Sequence, residues 1–251
     1  AYPTGAKTKD YLRYYCQQFN TIELNTTHYR IPDLATVQKW KAAAGSDFRY
    51  CPKLPQSISH RRDMGLSSGQ LLHFCEVIQE LGTTLGCCFM QLPPYFGADR
   101  LSELANFLQK FPKSIPLAIE VRHESWFASA QAQQALFELL SAENTTAVIT
   151  DVAGRRDVLH QYLTTGSTMI RFVGNGLHPT DYSRIDQWIE RLQSWWEKGL
   201  HDVYFFTHEP DNVLAPQLAQ YLAQQAQKKY SVKTRGPQLP FQAKGQQISL
   251  F

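Results

Sequence analysis

Apolar residues recur along this chain with two different periods, and segments of the two kinds alternate. Short apolar runs rich in β-branched residues predict strands at residues 21–24, 48–54, 85–92, 117–122, 147–151, 168–173 and 202–208. Most of the segments between them repeat apolar residues at helical spacing, which predicts helices at residues 10–19, 33–44, 68–81, 99–111, 129–143, 181–198 and 213–228.

This alternation predicts an α/β fold with a parallel sheet, because strands joined by helices return through right-handed crossovers. Eight such units make a TIM barrel of about 250 residues. Only seven strands are predicted here, and the chain opens on a loop that leads into a helix. We therefore expect a TIM (β/α)8-type barrel that lacks its first strand or has it truncated. A doubly wound sheet is disfavoured, because no glycine-rich phosphate turn follows an early strand.

Charge divides the chain into a body and a tail. Residues 1–228 are expected to form the barrel as a single domain. Residues 229–251 are basic and rich in Gln, Gly and Pro, which predicts a flexible tail. The whole chain carries +3, but residues 228–251 hold five basic and no acidic side chains, so 20 basic residues face 22 acidic ones elsewhere. The barrel is therefore no general nucleic-acid surface, and any basic patch on it must be local.

Composition limits the class of protein. The hydrophobic fraction of 43% is that of a globular protein, and no run is apolar and long enough to span a membrane. The first ten residues are polar and do not resemble a signal peptide. Five cysteines without CxxC spacing favour buried free thiols over a zinc site. Together these features predict a cytoplasmic location.

Each predicted strand ends in a polar residue where its apolar pattern would otherwise continue. In a TIM barrel the carboxyl ends of all strands open on one rim, where active sites lie. We therefore expect a polar pocket built from Glu23, Asn25, Lys53, Gln91, Glu120, Arg122, Asp151, Arg171 and His208. The alternative is a self-paired network of salt bridges that closes the barrel, although such a network has no clear stability advantage over apolar packing.

Mixed charge at this rim indicates what it could bind. Arginine and lysine suit a phosphate or a carboxylate, and arginine can hold either through two hydrogen bonds. Glu120 is the first candidate for a general acid or base, because Arg122 follows two residues later on the same strand face. Glu23 and Asp151 are the alternates. These carboxylates could instead hold a divalent metal, although no HExxH or His-x-His spacing indicates a dedicated site.

Further side chains near the rim are candidates for substrate contacts. Trp126 could stack on a sugar or a base, or only cover the rim, and the aromatic loop at residues 93–96 has the same two interpretations. The candidate substrate-binding residues are Arg122, Arg171, Lys53, Asn25, Gln91, His60, His123 and Trp126. Four other histidines are expected to be ordinary surface or loop residues, namely His28, His160, His178 and His201.

Several of these stretches resemble the YecE-like family, a bacterial and archaeal family catalogued as a domain of unknown function. The matching segments follow one another over nearly the whole body, at residues 19–25, 29–30, 37–40, 53–55, 59–60, 91–94, 120–123, 125–126, 151 and 171. The resemblance implies a TIM barrel but no activity, because none is established for the family. Its barrel is similar to the xylose-isomerase-like group of sugar isomerases and abasic-site endonucleases, which is an analogy of fold alone.

The chain departs from the family pattern at two positions and at its front. It has Phe172-Val173-Gly174 after Arg171, where the family tends to have Arg-x-His-Gly. It has Thr207-His208 where the family tends to have a pair of asparagines. The family's opening strand, with its glycine-containing turn, would precede the first residues of this sequence. Chemistry at these positions can therefore differ from that of relatives.

The chain ends in Gln-Ile-Ser-Leu-Phe. This segment resembles the peptide by which bacterial polymerases and repair proteins bind the sliding clamp. Gln247 would fix the register, and Leu250 with Phe251 would supply two apolar anchors on a disordered tether. The alternative is an apolar pair that folds back on the barrel.

Three hypotheses for function follow. The first is a hydrolase of the phosphodiesterase kind, which processes nucleic acid at the rim, uses a carboxylate or a divalent metal, and is recruited to a sliding clamp. The second is a hydrolase or isomerase that acts on a small sugar or a phosphorylated metabolite. The third is a ligand-binding module without catalysis.

Overall fold

Seven strands alternate with helices in the computed structural model, which describes residues 5–232 and 234–239. The strands are β1 (Thr21–Leu24), β2 (Arg49–Pro52), β3 (Cys88–Gln91), β4 (Leu117–Glu120), β5 (Thr146–Val152), β6 (Ser167–Val173) and β7 (Asp202–His208). The α-helices are α1 (Tyr11–Gln18), α2 (Leu34–Ala43), α3 (Gln56–Ser59), α4 (Gln70–Gln79), α5 (Leu101–Lys110), α6 (Ala130–Ala142), α7 (Pro179–Trp196) and α8 (Ala215–Tyr230). Every predicted strand is present, and the short α3 is the one α-helix among the described residues that the periodicity did not predict.

The strands pair in parallel and in the order of the chain. β1 pairs with β2, and β3 to β7 form a continuous five-stranded sheet. Isolated parallel bridges join the two sheets, one between Tyr50 and Leu85 and one between Lys53 and Phe89. The predicted α/β fold with a curled parallel sheet is confirmed. A closed eight-stranded barrel is not what these residues form, because β1 and β7 share no ladder.

Side chains alternate between the inside of the curled sheet and the helices outside it, as the period of two along a strand requires. The inside is filled by Cys51, Cys87, Phe89, Ala118, Val148, Met169 and Phe206. The residues next to them on the strands, such as Ile119, Ile149 and Ile170, pack against the helices. All five cysteines are buried free thiols, as predicted, and burial raises the pKa of the Cys51 thiol to about 12.

An apolar cavity of about 420 Å³ lies between β1 and β7, and helices α7 and α8 and part of the predicted tail border it. Between the cavity-lining residues Thr234 and Gly236, Arg235 donates a 3.2 Å hydrogen bond to the carbonyl of Phe19 and forms an ion pair with Asp47. α8 continues to Tyr230, and the backbone N–H of Gln238 donates to Gln18 Oε1 of α1 at 2.7 Å, while the flexible tail at residues 229–251 stays a prediction. The clamp-like residues lie outside the described part of the chain, namely Gln247, Leu250 and Phe251.

Candidate functional site

A polar layer lies directly above the apolar interior, at the carboxyl ends of the strands. On β2 to β7 it begins two residues after an inward-facing apolar side chain, as Glu120 follows Ala118 and Arg171 follows Met169. Its members come from every strand end and are Glu23, Lys53, Gln91, Glu120, Thr150, Arg171 and His208.

Arg171 joins two buried carboxylates at the centre of this layer. Its Nη2 donates to Glu23 Oε1 at 2.8 Å and its Nε to Glu23 Oε2 at 3.2 Å. Its Nη1 donates to Glu120 Oε2 at 2.7 Å. The side chains of both glutamates are about 95% buried, because only 5% of Glu23 and 4% of Glu120 is exposed. One guanidinium therefore satisfies two acids in a poorly solvated place, where an unpaired charge would be costly.

Hydrogen bonds extend from these carboxylates to both sides. Glu120 Oε1 accepts from Gln91 Nε2 at 2.9 Å, and Gln91 Oε1 accepts from Lys53 Nζ at 3.0 Å. Donating at one end and accepting at the other fixes the orientation of the Gln91 amide. On the opposite side, His208 Nε2 lies 3.1 Å from Glu23 Oε2 and thereby links β7 to β1.

Lys53 is a buried cation without an acidic partner. Lys53 is only 8% exposed. Within the described part of the chain, its ammonium forms no ion pair and makes one hydrogen bond, to Gln91. Burial lowers the pKa of Lys53, and the charge of Arg171 adds to this effect. An ammonium has three donors, so two of them have no protein acceptor among residues 5–232 and 234–239.

Three more cationic or titratable side chains surround this ammonium. Arg122 is exposed just beyond β4 and forms no hydrogen bond or ion pair with another described residue. Burial lowers the pKa of His60, and the charges of Lys53 and Arg122 lower it further. The ring of His28 lies 5.7 Å from that of His60. Glu23 and Glu120 carry two negative charges against one positive charge on Arg171, so Lys53 brings this group to neutrality and Arg122 adds one positive charge.

The structure places Asp151 outside the pocket, contrary to the sequence prediction. Asp151 is 1% exposed and points away from the barrel interior, where it accepts from Arg184 Nη1 and from Trp188 Nε1, each at 2.7 Å. The inward residue of β5 is Thr150, which is aligned with Arg171 of β6. Counting by two from the inward Val148 would have identified Thr150 from the sequence.

Three other predicted rim residues also lie away from this network. Trp126 is fully buried, with its Nε1 donating to the carbonyl of Phe96 at 2.8 Å, so it is no stacking surface for a ligand. His123 Nδ1 accepts from the backbone N–H of Ser125 at 3.1 Å and so caps the short turn at residues 124–126. Asn25 is exposed and lines the apolar cavity beside β1. His28, which the sequence indicated to be an ordinary loop residue, takes a place at the pocket instead.

No group of three or more metal-ligating side chains is found in the range that the structure describes. Glu23 and Glu120 already share Arg171, so a divalent metal at these carboxylates would have to displace a guanidinium. In the same range, no helix combines the length and apolar character needed to cross a bilayer.

Parallel α/β topology and a polar layer at the strand ends define the class of protein, and comparison with known proteins gives its family. Residues 1–243 match the family model described as "Protein of unknown function DUF72". The UPF0759 protein YecE of Escherichia coli (strain K12) is 30% identical over 96% of this chain and 92% of its own length. The chain therefore belongs to the DUF72 family, which confirms the resemblance to YecE-like proteins.

Solved structures of the same family share the fold. A DUF72 family protein from Enterococcus faecalis superposes with a TM-score of 0.73 at 21% identity, over 93% of this chain and 96% of that one. A DUF72 family protein from Thermotoga maritima gives a TM-score of 0.69 at 22% identity, over 90% of this chain and 92% of that one.

Asp151 is expected to matter for stability. Replacing Asp151 by alanine removes one of the two carboxylates of Arg184, which keeps Asp181 at 2.8 Å. It also leaves Trp188 Nε1 buried without its acceptor, and an unsatisfied buried polar group costs about 1–3 kcal/mol. We therefore expect urea unfolding of Asp151→Ala to show a loss of that order. The exposed pair of Arg155 with Asp157 supplies the control, because Asp157→Ala should cost at most about 1 kcal/mol. Equal losses in the two variants would contradict the buried role of Asp151.

The lowered pKa of Glu23 predicts that the stability of the protein depends on pH in the acid range. Burial raises the pKa of Glu23, but the His208 hydrogen bond and the charge of Arg171 outweigh it and lower the pKa from 4.5 to about 2. A lowered carboxyl pKa stabilises the fold above the unfolded value, and this contribution is lost as the pH falls. The free energy of unfolding should therefore fall between about pH 4.5 and 2, and less steeply in Glu23→Gln than in the parent.

The control for this prediction is Glu138→Gln, which changes an exposed glutamate on α6. Urea unfolding of the three proteins at several pH values measures the slopes. A Glu23→Gln slope equal to that of the parent and of Glu138→Gln would show that Glu23 is not held ionised by its partners.

Proposed function

We propose that the pocket binds a phosphate-bearing substrate and that the protein is a hydrolase of phosphate esters, of the phosphodiesterase kind. The observation that carries this proposal is Lys53, a buried ammonium with one hydrogen bond and no carboxylate at ion-pair distance in the described structure. A buried cation of this kind is costly unless an anion or an ordered polar group completes its coordination. A substrate phosphate would supply both charge and acceptors.

Arg122 and His60 would complete the phosphate site. The exposed guanidinium of Arg122 offers a planar fork of donors, which suits a phosphate better than a compact ammonium does. His60 Nδ1 lies 2.9 Å from Ser59 Oγ, which leaves its Nε2 for a ligand. Its lowered pKa keeps the ring largely neutral at pH 7, so that Nε2 can also accept a proton.

Glu120 is the candidate general base. Its carboxylate lies in the same layer as Lys53, with Gln91 hydrogen-bonded to both. In the proposed hydrolysis Glu120 takes a proton from a water molecule, the water oxygen forms a bond to phosphorus, and the ester oxygen leaves with its electron pair and is then protonated. Glu23 suits this role less well, because its pKa of about 2 makes it a weak base.

One observation favours a second function, a ligand-binding module without catalysis. Both oxygens of Glu120 already accept hydrogen bonds, Oε1 from Gln91 and Oε2 from Arg171, so a water molecule would have to compete with these donors. In that case the pocket would bind the same phosphate without turning it over. Recruitment to a sliding clamp through residues 247–251 remains a separate proposal, based on the sequence of that segment.

The phosphate site can be tested without knowing the substrate. Isothermal titration with inorganic phosphate should show binding to the parent protein and a loss of at least about tenfold in Lys53→Met, because a hydrogen bond to a charged group contributes about 1.5–3 kcal/mol. Lys198→Met removes the same charge from an exposed site beyond α7 and is the matched control. Phosphate affinity that is equal in both variants, or no binding by the parent, would refute the proposal.

Catalysis is tested separately with Glu120→Gln, which keeps the size of the side chain. Labelled single-stranded, duplex and abasic DNA would be incubated with parent and variant in EDTA, Mg²⁺, Mn²⁺ or Zn²⁺. We expect cleavage by the parent and a loss of at least about a hundredfold in the variant, which is within the range for a general base. Inorganic phosphate binding shows whether the variant has kept its pocket. Phosphate binding without turnover by the parent would instead establish the non-catalytic module.

A further inference from the structure

Four aromatic side chains form a continuous row along one edge of the pocket. Tyr29 meets His28 at 5.4 Å between ring centroids, His28 meets His60 at 5.7 Å, and His60 meets Tyr95 at 6.5 Å. All three contacts are edge-to-face, with interplanar angles of 74°, 62° and 83°. The hydroxyl of Tyr95 also donates to the backbone carbonyl of His60 at 3.3 Å.

Both ends of this row are open to solvent. Tyr29 is 75% exposed and Tyr95 is 61% exposed, although both are large aromatic residues. An edge-to-face contact occupies the edge of one ring and one face of the other, so each terminal tyrosine keeps at least one ring face that this contact does not cover. Tyr95 follows two prolines, which restrict the backbone that presents it. The row therefore offers flat, partly fixed aromatic surfaces on both sides of its two histidines.

Positive charge accompanies the row. His28 Nδ1 lies 3.0 Å from the carbonyl oxygen of Leu54, the residue after Lys53, so the row borders the chain segment that carries Lys53. The exposed Arg30 follows Tyr29 in the chain, and the exposed Arg62 lies two residues after His60. A barrel whose body is otherwise near neutral thus combines aromatic rings and cations in one place.

We propose that this row, with the cations beside it, binds nucleotide units, with bases stacking on Tyr29 and Tyr95 and a phosphate at Lys53. The inference rests on the phosphate site of the proposed function and adds the class of ligand. Exposed aromatic side chains interleaved with cations are typical of surfaces that bind single strands without reading their sequence, because every base has a π face. Paired bases are already stacked in a duplex, so a single strand is favoured over a duplex.

The test uses fluorescence anisotropy with a fluorescein-labelled oligothymidylate, a hairpin duplex of the same length, and the free mononucleotide as competitor. Tyr29→Ala and Tyr95→Ala should each weaken oligothymidylate binding by roughly fivefold to a hundredfold, which is the range for loss of one base stack. Tyr95→Phe keeps the ring and should bind within about twofold of the parent. Tyr162→Ala is the matched control, because Tyr162 is 53% exposed and stacks on Phe137 instead.

The outcomes separate this inference from the proposed function. Binding that depends on both tyrosine rings supports it, and competition by the mononucleotide shows that one nucleotide unit is sufficient for recognition. If Tyr29→Ala and Tyr95→Ala bound oligothymidylate as tightly as Tyr162→Ala does, the proposed role of the aromatic row would be overturned. This holds even if titration with inorganic phosphate still shows binding at Lys53. A preference for the hairpin duplex, or no binding of oligothymidylate, would overturn it as well. If the parent protein bound oligothymidylate but not inorganic phosphate, that result would count against the proposed function.

Discussion

The ion pairs of Arg171 with Glu23 and Glu120 determine the character of the pocket. They connect β6 to β1 and to β4 across the inside of the curled sheet. Two buried carboxylates would otherwise repel each other and require protonation or a metal. One guanidinium hydrogen-bonds both carboxylates but neutralises only one of their two charges, and Lys53, which forms no ion pair in the described structure, supplies the second positive charge. Arg122 adds a further positive charge at the exposed edge of the layer, and this edge favours an anion.

The same arrangement explains why the strand ends are polar while the layer below them is not. The lower layer consists of apolar side chains such as Phe89 and Met169 and fills the interior. The layer above opens towards the loops, so its groups can exchange protein partners for a ligand. The cation–π contacts of Lys53 and Arg171 with the Phe89 ring, at 5.8 and 5.6 Å, join the two layers.

The strands and most of the polar layer could be predicted from the sequence, because a period of two within short apolar runs determines which side chains share a face. Glu23, Gln91, Glu120 and Arg171 follow from this rule. Asp151 was misassigned because the last polar residue of its strand was chosen instead of the inward position, which belongs to Thr150. Trp126 and His28 depend on how loops turn after a strand ends, and no periodicity specifies that.

The most direct measurement is a crystal structure of the protein grown with tungstate, an anomalously scattering analogue of phosphate. The arrangement of charges predicts a tungsten peak whose oxygens lie within hydrogen-bond distance of Lys53 Nζ, with Arg171 still bound to Glu23 and Glu120. An ammonium of Lys53 paired directly with Glu120, with no anion beside it, would contradict the claim that the pocket carries a spare positive charge.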